Sequence, residues 1–151
     1  MKNKKLIYLD CCCLNRPNDD QRHDKIRIET DVILTILKRC ENLNWKLITS
    51  DVLLYEIMKN PNPYNRNKTL MLFSISKEKI SLEKKIIERA KEIQKYGIKD
   101  LDSLHFASAE YRKVDVLLSV DADFIKHSKQ IETNLIIDNP VNWYIKDIEN
   151  D

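Results

Sequence analysis

The sequence predicts an α/β domain built on a mainly parallel sheet, and three observations carry that prediction. Short runs rich in β-formers, such as Leu6-Ile7-Tyr8-Leu9 and Val116-Leu117-Leu118, are apolar at consecutive positions. Strands read this way when both faces are buried, as in parallel sheets covered by helices. Segments of helical period separate these runs, the alternation expected of repeated βα units. Finally, 151 residues with 42% hydrophobic and 33% charged side chains suit one domain over residues 1–151 with a single core.

The first strand runs straight into Asp10. Cys11 to Asp20 follow and contain Asn15, Pro17, Asn18 and Asp19, which predict a turn and loop. A long amphipathic helix is expected from about Asp20 to Asn42, with Ile26, Ile33, Ile36 and Leu37 as its stripe and Val32 and Cys40 nearby. Trp45 to Thr49 reads as the second strand, and Ser50 suits the N-cap of a short apolar helix from Asp51 to Met58. Asn60-Pro61-Asn62-Pro63 ends that helix. Asn65 to Phe73 predicts another helix, and Lys79 to Leu82 a short strand. Glu83 to Tyr96 forms a helix with Ile86, Ile87, Ala90 and Ile93 on one face and Gly97 at its C-cap. Asp100 can cap the next helix, which places Asp102 in the first turn and carries the small residues Ala107, Ser108 and Ala109. A central strand from Val116 to Val120 ends at Asp121, which opens a short helix. Leu135 to Ile137 is the last strand, and Val141 to Glu149 the C-terminal helix, with Trp143 packed.

Composition excludes several chemistries. The single glycine, Gly97, leaves no phosphate-cradling P-loop, dinucleotide fingerprint or G-x-S-x-G elbow. No apolar run reaches membrane-spanning length, and the basic start is followed by too short an apolar stretch for a signal peptide, so a cytoplasmic protein without membrane contact is expected. Cys11, Cys12, Cys13 and Cys40 match no zinc spacing and predict free thiols. The net charge of +2, from 26 basic and 24 acidic residues, does not by itself predict nucleic-acid binding.

Four acids share a structural address. Asp10 ends the first strand, Glu56 lies on the helix after the second, Asp102 opens a helix packed on the sheet, and Asp121 ends a later strand. Strand ends and the helix starts after them line one edge of a right-handed α/β sheet. Two carboxylates about 4 Å apart repel by roughly 4 kcal/mol at an effective dielectric near 20, and several such pairs rival the stability of a whole domain. Such a cluster binds a cation, holds protons, or does not form. Oxygen-only ligands favour Mg²⁺ or Mn²⁺, and a metal-bound water can then attack phosphorus. Each acid also has a plainer reading: Asp10 and Asp121 as caps, Glu56 as a solvated helix residue, and Asp102 as a complement to the helix dipole. Asp100 competes with Asp102 as a ligand, and Asp123 is either an auxiliary ligand or simply exposed. His105, three residues after Asp102, reads as a core histidine or one standing behind the ligands, rather than as a general base. Ser119 can orient water or phosphate, or be a plain strand serine. Arg16 contacts phosphate or pairs with a nearby acid.

Taken in order, Tyr8-Leu9-Asp10, Ser50-Asp51-Val52-Leu53-Leu54-Tyr55-Glu56, Asp102-Ser103-Leu104-His105-Phe106-Ala107-Ser108-Ala109 and Leu117-Leu118-Ser119-Val120-Asp121-Ala122-Asp123-Phe124 resemble the PIN-domain family. The resemblance spans nearly the whole chain. It implies a PIN-like three-layer α/β/α sandwich and Mg²⁺- or Mn²⁺-dependent ribonuclease activity. Asp10, Glu56, Asp102 and Asp121 match the family's acidic positions, with Asp123 as a fifth. Small bacterial members resemble VapC-type toxins restrained by a cognate antitoxin and often form homodimers. Cys11 and Cys12 stand where the family usually has Thr or Ser and then Asn, which implies weaker hydrogen bonding beside the metal. A catalytically weak or inactive PIN-like module that binds RNA or protein is the alternative. A phosphotransfer protein with Asp10 as acceptor fits less well, because Cys12 stands where a phosphatase of that kind needs a second Asp.

Overall fold

A computed structural model describes residues 4–150. Five strands, β1 (Leu6–Leu9), β2 (Lys46–Ser50), β3 (Glu78–Ile80), β4 (Val116–Leu118) and β5 (Ile137–Asp138), form one sheet in the order β3-β2-β1-β4-β5. Every pairing is parallel, and Ile7, Tyr8 and Leu9 of β1 stand opposite Val116, Leu117 and Leu118 of β4. The chain builds outward from β1 through β2 to β3, then returns to the other side of β1 for β4 and β5. The reversal of strand order therefore falls between β1 and β4.

The helices are α1 (Cys11–Asn15), α2 (Asp24–Glu41), α3 (Asp51–Met58), α4 (Pro63–Phe73), α5 (Lys84–Gln94), α6 (Asp100–Arg112), α7 (Ala122–Ser128) and α8 (Pro140–Glu149). They form layers on both faces of the sheet, as the consecutive apolar strand residues require. Ile7, Leu9, Val116 and Leu118 pack on one face against Leu14 of α1, Ile33, Ile36 and Leu37 of α2, and Leu53 of α3. Tyr8, Ile48 and Leu117 pack on the other face against Ile86 and Ile93 of α5, Phe106 and Ala107 of α6, and Phe124 of α7. The result is the α/β/α sandwich. Among the described residues no helix is long and apolar enough to cross a membrane.

Several local expectations are corrected. Cys11 to Asn15 is helical rather than a loop, followed by a 3-10 turn over Arg16–Asn18. Asp10 accepts from the Cys13 amide and so starts a helix directly at the strand end, while Cys11, Cys13 and Leu14 are buried beneath it. Helix α2 begins at Asp24, because Asp20 spends its carboxylate on the Arg22 amide and guanidinium and holds a turn instead. Ile87 is 39% exposed and leaves the apolar face of α5 to Ile86, Ala90 and Ile93. Lys95 caps α5, with Gly97 two residues on at φ +83, a backbone conformation that favours glycine.

The far end of the sandwich is fastened by aromatic rings. The Trp45 ring, just before β2, lies edge-on to Trp143 at 5.3 Å and to Tyr144 at 6.4 Å, joining α8 to the sheet. The Arg39 guanidinium of α2 sits 4.9 Å over Trp45.

Candidate active site

The reversal between β1 and β4 opens a crevice at the carboxyl ends of the strands, where α/β sheets bind their ligands. A cavity of about 600 Å³ lies there, lined by Asp10, Glu56, Asp102 and Asp121 together with Cys11, Cys12, Lys99, Asp100 and Leu101. The four acids singled out from the sequence thus meet in one place, and Asp100 joins them. Asp100 is the first residue of α6 with Lys99 as its cap, a correction to its expected capping role. Asp123 does not line the cavity; it is exposed and gives its amide to Asp121.

Each carboxylate is held by its own device. Asp10 is only 2% exposed. Its Oδ1 accepts from the Cys13 amide at 3.1 Å and the Cys12 thiol at 2.9 Å. Burial pushes the Asp10 carboxyl above the usual carboxylate range, against the pull of the Cys12 and Ser119 hydrogen bonds. The hydrogen bond to Asp10 thus comes from the Cys12 thiol, while the Cys11 sulfur accepts from Asn15 Nδ2. Ser119 is fully buried behind the site, where its Oγ accepts from the Asp121 amide at 3.1 Å. Asp121 caps α7 through Oδ1, which accepts from the Asp123 and Phe124 amides. The capping and cavity-lining readings of Asp121 are both satisfied.

Glu56 is fixed by a buried chain of side chains. Its Oε1 lies 2.7 Å from His105 Nε2, and His105 Nδ1 lies 2.5 Å from the Tyr8 hydroxyl. Tyr8 in turn lies 2.6 Å from Ser50 Oγ, which accepts from the Leu53 amide as the N-cap of α3. One order of donors satisfies every atom: Ser50 donates to Tyr8, Tyr8 to His105 and His105 to Glu56. Burial pushes the Tyr8 hydroxyl well above its ordinary value, so it keeps the proton it donates. His105 stands behind Glu56, a partner that its spacing from Asp102 did not indicate. The Tyr8 and Ser50 links were not legible in the sequence, since they join residues 42 and 97 positions apart.

Asp102 has no such support. Burial, then the negative charge of Asp10, with Asp121 and Glu56 adding to it, pushes its carboxyl up to about 6 against the partial relief of His105. Arg16 lies outside the cavity lining. Its guanidinium holds Glu29 at 2.7 Å and Asp19 at 3.1 Å, so the ion-pair reading replaces phosphate contact. Glu29 is 2% exposed, a buried acid on α2 that the helical pattern concealed.

The donor set is hard oxygen, with five carboxylates facing Lys99 as the one cationic side chain of the lining. Among the described residues no three His, Cys, Asp or Glu side chains form a ready-made coordination shell. Donors of this kind, spread around an open cavity, fit a cation that keeps several of its waters.

The family model for the PIN domain matches residues 18–130, which takes in Glu56, Asp102 and Asp121 and starts beyond Asp10. Among solved structures, the chain is similar to a chain of VapBC2 from Rickettsia felis bound to a DNA fragment from their promoter. That likeness has 19% identity and a TM-score of 0.58 and covers 89% of this chain and 98% of the other. It is also similar to VapC20 of Mycobacterium tuberculosis, a sarcin-ricin loop cleaving toxin, with 16% identity and a TM-score of 0.53, covering 78% of this chain and 92% of the other. No curated protein matches the sequence.

Proposed function

The chain belongs to the PIN-domain family, and on that premise we propose that it is an endoribonuclease that depends on Mg²⁺ or Mn²⁺. The observation that supports this most is the meeting of Asp10, Glu56, Asp102 and Asp121, from four separate elements, around one cavity. A divalent cation held by these oxygens supplies, when bound, the charge that offsets them and acidifies water for attack on phosphorus.

The chain's own residues prepare that chemistry. The Cys13 amide and Cys12 thiol hold Asp10, the amides of α7 hold Asp121, and His105 holds Glu56, so three carboxylates keep fixed directions without the cation. Asp10 and Asp102, whose carboxyls burial pushes above the usual carboxylate range, are the acids that shed protons on loading. Attack by water needs no 2′-hydroxyl and leaves a 5′-phosphate. We further propose that the protein is the toxin of a toxin–antitoxin pair, a reading supported by its likeness in fold to VapBC2 and VapC20. A short reading frame beside its gene encoding a protein that binds and silences it is the expected partner.

The test is cleavage of a mixed RNA pool with metal and with chelator by wild type and Asp10→Asn. Asn keeps the capping oxygen that the Cys13 amide needs, so the variant should fold while losing at least about a hundredfold in rate. Metal-dependent cuts with 5′-phosphate ends support the reading. Metal binding without cleavage returns the binding-module alternative.

A further inference from the structure

A second cavity, of about 690 Å³, lies on the other side of the Asp121 turn from the acidic one. Val120 and Ala122 line it, while Asp121 between them lines the acidic cavity, so the two share a wall. Ile125 and Val141 add to its apolar surface, and Lys25, Lys126 and Lys129 stand around it. Its acids are already occupied: Glu29 pairs with Arg16 and accepts from Asn139 Nδ2, and Asp138 lies 3.5 Å from Lys146. The three lysines have no ion-pair partner among the described residues. They are an uncompensated positive group beside a strongly negative one.

A polyanion meets an obvious difficulty at the acidic cavity, where only Lys99 offsets five carboxylates. A cation there relieves the repulsion at the phosphate being cut but leaves the flanking phosphates without partners. Binding energy for a nucleic acid must then come from positive groups just outside, because phosphate neutralisation dominates such affinities. The lysine-rimmed cavity is where those groups are. We infer that it is the subsite for the nucleotides flanking the cleaved bond of single-stranded RNA, an inference that rests on the nuclease reading and gives its substrate a path. Lys25, Lys126 and Lys129 take the phosphates. The aliphatic floor of Val120, Ile125 and Val141 takes a ribose or base edge without hydrogen-bond readout, so this subsite contributes affinity with little sequence preference.

The test uses K126Q/K129Q, two exposed positions, with K84Q/K91Q on the surface of α5 as the control pair. The probe is a fluorescently labelled mixed-sequence RNA oligonucleotide, bound in chelator across a range of salt and then cleaved with metal. K126Q/K129Q should raise Kd about tenfold and reduce the slope of log K against log salt by about 1.4, the loss of two single-strand phosphate contacts. Its KM should rise with kcat unchanged, and the control pair should match wild type in every reading. Wild-type affinity and salt slope in K126Q/K129Q would overturn the subsite, even if wild type cuts RNA. RNA binding that weakens as expected in a protein that never cuts would instead retain the subsite and remove the nuclease. Preferential binding of polyglutamate of matched charge, displacing RNA, would overturn it in favour of an acidic peptide.

Discussion

Asp102 is a half-buried site carboxylate that no hydrogen bond from a neighbouring side chain or amide relieves. Its folded carboxyl holds a proton to about 6 against an ordinary 3.8. Between those values the folded chain binds a proton that the unfolded chain sheds, so stability falls as pH rises through the window, and the penalty is complete above it. Asp102→Asn should stabilise the metal-free protein near neutral pH by about 1 kcal/mol, partial exposure screening the rest of the shift. Thermal melts in chelator at about pH 4 and about pH 7 check this, and the variant's two melting points should lie closer together than those of wild type. Tyr8→Phe keeps the ring in the core but leaves His105 Nδ1 without its donor. It should cost about 1–3 kcal/mol of stability, and it should lower kcat with little change in KM, since Glu56 loses its bracing rather than substrate its contacts. At this scale the sequence was informative where an acid follows a buried apolar run, because a carboxylate there is too costly to be idle. It was silent about which neighbours brace each acid: Arg16 pairs with Glu29, and Asp123 supports Asp121 only through its backbone amide.

Among the elements, α3 shows how local and remote interactions share one atom. Ser50 Oγ caps the helix through the Leu53 amide and also ends the side-chain chain to Glu56 on that helix's outer turn. Ser50→Ala should therefore cost about 1–2 kcal/mol, read as a lower urea midpoint at unchanged slope. The bounds of α3, Asp51–Met58, were legible because a capping serine precedes them and prolines follow closely. Helix α1 was not, because Asn15 and Pro17 outweighed a cap supplied by the strand's own terminal aspartate. The Asp102 helix was placed correctly but for its cap, which falls on Lys99 and turns Asp100 toward the cavity.

For the molecule as a whole, strand order decides whether a site exists. Adjacency of β1 and β4 brings Asp10 and Asp121 together across 111 residues of sequence (121 − 10), and β2 beside β1 delivers Glu56. The alternation of strands and helices made the sandwich legible, whereas the order β3-β2-β1-β4-β5 depends on pairings that no local pattern encodes. A cation that binds only the folded cavity stabilises the whole fold. Mg²⁺ or Mn²⁺ at about a hundred times its Kd should add about 2.7 kcal/mol, or roughly 5–10 °C in melting temperature. Combined Asp10→Asn and Asp121→Asn should abolish that gain in a calorimetric scan.

The ring contact between Trp45 and Trp143 limits how such loading can be watched. These are the chain's two tryptophans, and both indoles sit on the seam that docks α8, at the amino end of β2 and so away from the carboxylates. Intrinsic fluorescence consequently reports detachment of the C-terminal helix and stays dark to events around Asp10. An optical titration of the cavity needs a new chromophore, and a Tyr55→Trp replacement, one residue before Glu56 and 55% exposed, places one within view.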